Sequence, residues 1–158
     1  MRVLVAAVGN VLRRDDGFGP AVAERLSGTL PDGCDLVETG IGGVALLQDL
    51  MKGYDGLVLV DAMDSSAPPG TVVMVTPEVG DAVHVPDVHL ANPERVLTMA
   101  RTLGVLPERV RIVGCQPEET DELGEGLSER VERGVAVAAR KVEETVSEWL
   151  AEGDRAAL

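Results

Sequence analysis

Residues 3–8 are all apolar, and a glycine follows at position 9. A short apolar run bounded by a turn residue is typical of a strand that is covered on both faces. A comparable run occurs at 56–60, a further strand is predicted at 109–114, and residues 71–76 alternate more between apolar and polar side chains. Because no helical segment precedes 71–76, we expect this strand to pair antiparallel at an edge of the sheet.

Helical spacing of apolar residues appears between these strands, in the segments 18–30, 44–51, 92–103 and 128–150. Strands that alternate with helices are typical of βαβ units, which form parallel sheets. We therefore predict an α/β fold with three layers. Its centre is a twisted, mostly parallel sheet of about five strands, and helices cover both faces.

The length and composition limit the classes of protein to which the chain can belong. Its 158 residues suit one domain, which we place at 1–152, with a frayed tail at 153–158. A net charge of −13 disfavours nucleic acid and anionic membranes as partners. No apolar run is long enough to cross a bilayer, so we expect no membrane insertion.

The two cysteines, Cys34 and Cys115, have no CxxC neighbour, and we expect both to be buried thiols in a reducing compartment. The first residues lack the basic, apolar and small-residue layout of a signal peptide. These features predict a cytoplasmic location.

Ionisable residues follow the predicted strands at the points where an α/β sheet binds ligands. Asp16 lies in the loop after the first strand, Asp61 ends the third strand, and His89 precedes the helix that begins near residue 92. If they converge, two carboxylates and an imidazole suit a divalent ion such as zinc, nickel or iron. We expect Asp15 to orient its own loop and His84 to be a surface residue.

Common motifs for other chemistries are missing from the sequence. It contains no G-x-G-x-x-G or G-x-x-x-x-G-K-[ST] motif, which disfavours nucleotide binding, and no G-x-S-x-G or H-E-x-x-H motif. A second glycine-rich loop at 40–43 either admits a peptide backbone or makes a tight strand-to-helix turn; the residues leave both readings open.

Four sequence elements follow one another along nearly the whole chain: Val8-Gly9-Asn10-x-Leu12-x-x-Asp15-Asp16-Gly17-x-Gly19-Pro20, Val58-Leu59-Val60-Asp61-Ala62, His89, and Val113-Gly114-Cys115-Gln116-Pro117. In this order and spacing they resemble the [NiFe]-hydrogenase maturation endopeptidases. The chain differs from some members in having Asp16 in place of a glutamate, and Ile41 where a threonine is common.

The resemblance implies a peptidase domain that removes a C-terminal extension from a [NiFe]-hydrogenase large-subunit precursor after nickel insertion. It implies that Asp16, Asp61 and His89 are both the catalytic residues and the nickel ligands. Nickel would be delivered with the substrate, and no permanent cofactor is expected. Asn10 and Asp15 would support the loop.

Two alternatives remain at this point. A receiver-like phosphoacceptor module also carries acids after its first and third strands, around Mg²⁺. Against it, Gln116 precedes Pro117 where that class needs a lysine. The other alternative is an inactive relative that only binds the nickel-loaded precursor, although all three candidate site residues are present.

Overall fold

A computed structural model of the chain describes residues 1–80 and 93–158. In this part of the chain, five strands form one sheet in the order β2-β1-β3-β5-β4. Three of its strand pairings are parallel, as expected of βαβ units: β1 pairs with β2 and β3, and β3 pairs with β5. The strands are β1 (Val3–Val8), β2 (Cys34–Gly40), β3 (Gly56–Ala62), β4 (Val72–Val75) and β5 (Arg109–Cys115).

The short strand β4 is the exception to the parallel arrangement. It pairs antiparallel with β5 at the edge of the sheet. This confirms the expectation from its alternating pattern and from the lack of a helix between β3 and β4.

Helices cover both faces of the sheet. The helices are α1 (Phe18–Leu26), α2 (Gly43–Leu50), α3 (Pro93–Thr102) and α4 (Glu129–Ala156). Alternate strand residues such as Val5 and Val58 pack with α1 and α4, while Leu4 and Leu57 pack with α2 and α3. Both sides of β1 and β3 are therefore buried, which explains their continuous apolar runs and confirms the three-layer prediction.

Two helix ends differ from a simple reading of the pattern. The apolar spacing that continues to Leu30 predicts a longer first helix, but α1 ends at Leu26. Ser27 takes an extended backbone, with ψ 119°, and Gly28 has φ +79°, so the chain turns away before Leu30. The last helix begins directly after Ser128, as predicted, but it continues beyond the predicted residue 150 and ends at Ala156. The domain limits at 1–152 and the frayed tail remain predictions.

The edge of the sheet where the parallel strands begin is closed by the C-terminal half of α4. Trp149, the only tryptophan of the chain, is 5% exposed there and packs over Gly56, the first residue of β3. The Arg111 guanidinium lies 5.6 Å from the centre of its ring. Burial and a cation–π contact together fix this side chain in one environment.

The cysteine prediction is correct for only one residue. Cys115 is buried, whereas Cys34 is half-buried at the start of the edge strand β2, because β2 has a neighbour on one side only. Within residues 1–80 and 93–158, no helix has the length and apolar character that a bilayer crossing needs.

Candidate active site

Two of the three predicted site residues lie at the edge of the sheet where β1, β3 and β5 end. Asp61 lies in β3, one residue beyond the pair that Val60 makes with Ala7 of β1. Asp16 lies in a short 3-10 helix, Arg14–Gly17, that follows β1. Because β1 and β3 are neighbours in parallel, both carboxylates reach the same edge. His89, the third predicted residue, and His84 lie outside the described residues.

The loop that carries Asp16 is closed by hydrogen bonds across its base. The backbone N–H of Asn10 donates to the Asp16 carboxylate at 3.0 Å and to the Asp16 carbonyl at 3.1 Å. The Asn10 side-chain oxygen accepts from the N–H of Leu12 at 3.0 Å. Asn10 therefore has the contacts expected of a supporting loop residue, and one oxygen of Asp16 is fixed toward the loop.

Two glycines of the first motif permit this close packing. Gly9 has φ +145°, and a side chain on it would meet the Asp16 carbonyl. Gly19, in the first turn of α1, lies against the carbonyl oxygens of Val8 and Val60, and an added Cβ would be 2.8 Å from the latter. The glycine spacing thus lets α1 begin directly over the ends of β1 and β3.

Asp61 is a buried acid beside another acid. It is only 6% exposed. Its burial, together with the negative charge of Asp16, raises the pKa of Asp61 to about 8, and a hydrogen bond from the Ala62 backbone offsets only part of this rise. Two carboxylates held in this way repel each other unless a proton or a cation lies with them.

Asp15 has a different environment, although it is adjacent in sequence. It is fully buried, and its carboxylate accepts four hydrogen bonds: from the backbone N–H groups of Glu118, Glu119 and Ser128 at 2.9, 2.9 and 2.7 Å, and from the Ser128 hydroxyl at 2.8 Å. Burial alone would raise its pKa, but these bonds outweigh burial and lower it. Asp15 therefore ties its loop to residues 118–119 and to the start of α4, in line with the loop role predicted for it.

Gln116 is a positioning residue whose role the sequence pattern did not reveal. Its side-chain oxygen accepts from the N–H of Ser65 at 2.6 Å, and its backbone carbonyl accepts from the N–H of Gly70 at 2.9 Å. It therefore holds the segment that follows Asp61 against the end of β5. The only sequence signal was its position after a buried strand, where polar residues gather at the site edge.

A groove of about 840 Å³ begins beside the Asp16 loop and runs along α1. Its walls include Val11 and Gly17 near the site, Leu36 and Glu38 of β2, and Leu127 before α4. The groove is open and mostly built from small or charged residues, which is suited to an extended chain more than to a compact apolar ligand.

The donor set at this edge is compatible with a divalent ion. Asp16 and Asp61 supply carboxylate oxygens, which bind divalent ions once both are ionised. Within residues 1–80 and 93–158, no group of three histidine, cysteine or acidic side chains is placed to hold a metal ion. The two carboxylates would therefore need further ligands from elsewhere, either from the chain or from a bound partner.

Comparisons of the sequence with known proteins point to one family. A family model described as hydrogenase maturation protease matches residues 20–145. The Hydrogenase 2 maturation protease of Escherichia coli K12 is 33% identical over 147 residues, which covers 90% of this chain and 88% of that protein. The hydrogenase expression/formation protein HupD of Rhodobacter capsulatus is 31% identical over 153 residues, or 94% of this chain and 72% of HupD.

Solved structures give the same result for the fold. The hydrogenase maturating endopeptidase HybD of E. coli superposes with a TM-score of 0.79 at 31% identity, covering 94% of this chain and 93% of that structure. A hydrogenase 2 maturation peptidase from a Thaumarchaeota archaeon superposes with a TM-score of 0.68 at 33% identity, covering 92% and 98%. These similarities set aside the receiver-like alternative.

Proposed function

The chain belongs to the hydrogenase maturation protease family, a family of endopeptidases, and from this premise we propose that it removes the C-terminal extension of a [NiFe]-hydrogenase large-subunit precursor after nickel insertion. Nickel on the precursor is the recognition element, so it is part of the substrate. The observation that carries the proposal is the pair Asp16 and Asp61, two acids that meet at one sheet edge.

The carboxylate pair explains why a cation on the substrate would be recognised. In the free protein, the negative charge of Asp16 acts on the buried Asp61 carboxylate, and protonation of Asp61 relieves the repulsion between the two. When a substrate brings a divalent cation, the cation replaces that proton. Both carboxylates then bind the cation, with His89 as the third proposed ligand. A precursor without the cation would leave the repulsion in place and bind poorly.

The chemistry left to the chain is the handling of protons and of the peptide. A divalent ion polarises a peptide carbonyl or lowers the pKa of a bound water. Asp16 and Asp61 would hold that ion, and with it the scissile segment, in place. The raised pKa belongs to Asp61 before the cation binds, so binding of the cation would release the Asp61 proton.

A thiol nucleophile is a poor alternative. Burial, with a smaller effect of the Asp15 charge, raises the pKa of Cys115 to about 11. Burial and the adjacent Asp35 raise the pKa of Cys34 to about 12. Because the thiolate is the nucleophile, both cysteines are unreactive at neutral pH.

The test is a processing assay with purified nickel-loaded and nickel-free forms of the large-subunit precursor from the same genome. The wild-type protein should shorten only the nickel-loaded form, and Asp16→Asn, Asp61→Asn and His89→Ala should each reduce the rate at least about 100-fold. Asp64→Asn is the matched control, because Asp64 is an exposed acid three residues beyond Asp61 that caps Ser66 locally.

The outcomes separate the alternatives. Full activity of all three variants would reject the site. Equal cleavage of both precursor forms would reject nickel recognition while keeping the protease. Nickel-dependent binding without any cleavage by the wild-type protein would identify an inactive relative, the remaining alternative.

A further inference from the structure

Exposed aliphatic side chains gather on the loops that surround Asp16. Twelve large apolar side chains are exposed in the described part of the chain, and five of them lie on or directly after three loops at this edge of the sheet. These five, here called the apolar rim, are 51% to 80% exposed: Val11, Leu12, Ile41 and Leu123 lie in the loops themselves, and Val44 lies in the first turn of α2, directly after the loop that carries Ile41. Scattered exposed aliphatic residues are ordinary, but a group around one site is informative.

Backbone hydrogen bonds hold the three loops together. The N–H of Gly9 donates to the carbonyl of Gly40 at 3.0 Å, which joins the loop after β1 to the loop after β2. On the other side, the N–H of Gly124 donates to Leu12, and the N–H of Arg14 donates to Gly124, both at 2.9 Å. The side chains of the apolar rim are therefore displayed by connected loops, so little ordering is needed on binding.

The size of the apolar rim distinguishes between kinds of partner. At these exposures its five residues present on the order of 500 Å², comparable to the apolar patches that mark interaction sites. A standard protein interface buries roughly 800 Å² on each partner, and obligate dimers bury much more. The apolar rim is large enough to be the centre of a transient complex and too small to sustain an obligate dimer.

We propose that the apolar rim is the docking surface for the protein substrate, and that it receives an aliphatic segment of that substrate beside the bond to be cleaved. The inference rests on the proposed function, since it takes the substrate to be the large-subunit precursor. The apolar rim is continuous with the candidate active site, which supports the inference. Val11 and Leu12 belong to the same loop as Asp16, and Val11 also lines the groove along α1. None of the five side chains is charged, so the partner's contacting residues are aliphatic too.

The experiment compares the double variant Leu12→Asn/Leu123→Asn with a matched control. Leu103→Asn is the control, because Leu103 is 55% exposed but lies after α3, at the opposite edge of the sheet. Steady-state cleavage of the purified nickel-loaded precursor gives KM and kcat for each protein. Binding of the same precursor is measured separately by rapid mixing under single-turnover conditions, before cleavage occurs, with Asp16 and Asp61 intact in every protein. Thermal unfolding and light scattering report stability and oligomeric state.

The double variant should raise KM, and weaken binding, by about tenfold or more, with kcat and the unfolding temperature close to wild type. The Leu103→Asn control should match the wild type. Four results would each overturn the inference. They are an unchanged KM, an equal effect in the control, a loss of kcat alone, and a wild-type dimer that the double variant dissociates. Rim-dependent binding without wild-type cleavage would reject the proposed function alone, and cleavage indifferent to the rim would reject only the docking surface.

Discussion

Replacing Asp15 with asparagine removes one charge from the most heavily hydrogen-bonded side chain near the site. The Asp15 carboxylate is fully buried; one oxygen accepts from Glu118, Glu119 and the Ser128 hydroxyl, and the other accepts from the Ser128 N–H. An asparagine has one acceptor oxygen and one amide group that only donates. Whichever way it is oriented, its amide group points at a donor.

The expected loss of stability follows from this mismatch. If the asparagine oxygen keeps the three bonds of the first oxygen, the Ser128 N–H is left buried and unsatisfied, which costs about 1–3 kcal/mol. The three remaining bonds lose their charge assistance, and each weakens by roughly 0.5 kcal/mol. The total is about 3 kcal/mol. For a chain of this length, that corresponds to a decrease in the unfolding temperature of roughly 6–12 °C.

Circular dichroism at 222 nm during heating measures the difference at pH 7. Asp32→Asn is the control, because Asp32 is exposed in a turn, and it should unfold within about 1 °C of wild type. Because the folded-state pKa of Asp15 is lowered from 3.8, its stabilisation is present above that pH and disappears as the pH falls below it. The gap between Asp15→Asn and wild type should therefore narrow in acid. A gap below about 2 °C at pH 7 would refute the proposed role of these bonds.

Three further predictions concern the same edge and the thiols. Asp61→Asn should abolish processing yet raise the unfolding temperature at pH 8 by at least about 3 °C. The folded-state pKa of Asp61 is raised to about 8, so from pH 4 to pH 8 the unfolded chain releases this proton while the folded chain retains it, and the wild-type protein loses stability as the pH rises. A gain in the variant that does not grow with pH would contradict this. Gly19→Ala should lower the unfolding temperature by more than about 6 °C, because the added Cβ meets the backbone of two strands. Gly42→Ala should leave it unchanged, because Gly42 has open space around it and φ −97°; equal melting curves for the two variants would contradict the packing argument. Cys34 and Cys115 should react with iodoacetamide at pH 8 about 100-fold more slowly in the folded protein than in urea, as followed by mass spectrometry. Rapid labelling of the folded protein would refute their raised pKa values.

The sheet and its helices were predictable because their signals are local. Continuous apolar runs predicted β1 and β3, and the lack of a helix before residue 71 predicted the antiparallel edge strand β4. A loop role for Asp15 was predictable from its position after the first strand, and the supporting role of Asn10 followed from the family resemblance; Asn10 stabilises its turn through nearby backbone groups. The end of α1 was not, because a left-handed glycine backbone at residue 28 outweighs the apolar spacing that continues to Leu30.

The partners of the site residues could not be predicted from the sequence. Asp15 and Ser128 are 113 residues apart, and no periodicity links a loop after the first strand to the start of the last helix. The raised pKa of Asp61 likewise depends on which strands flank β3 and bury it, and on the negative charge of Asp16, which another loop brings near. Such contacts arise only when the whole chain is assembled.

The position of Trp149 has a practical consequence for experiments on this protein. It is the only indole, and with a single tyrosine in the chain it dominates the ultraviolet emission. It packs on Gly56, where β3 begins, while Asp61 lies toward the end of the same strand. Its fluorescence should shift strongly to the red when the chain unfolds, yet remain almost constant when nickel or a precursor binds at the far edge. A red shift of the Trp149 emission thus reports loss of the fold, and it does not respond to occupancy of the site.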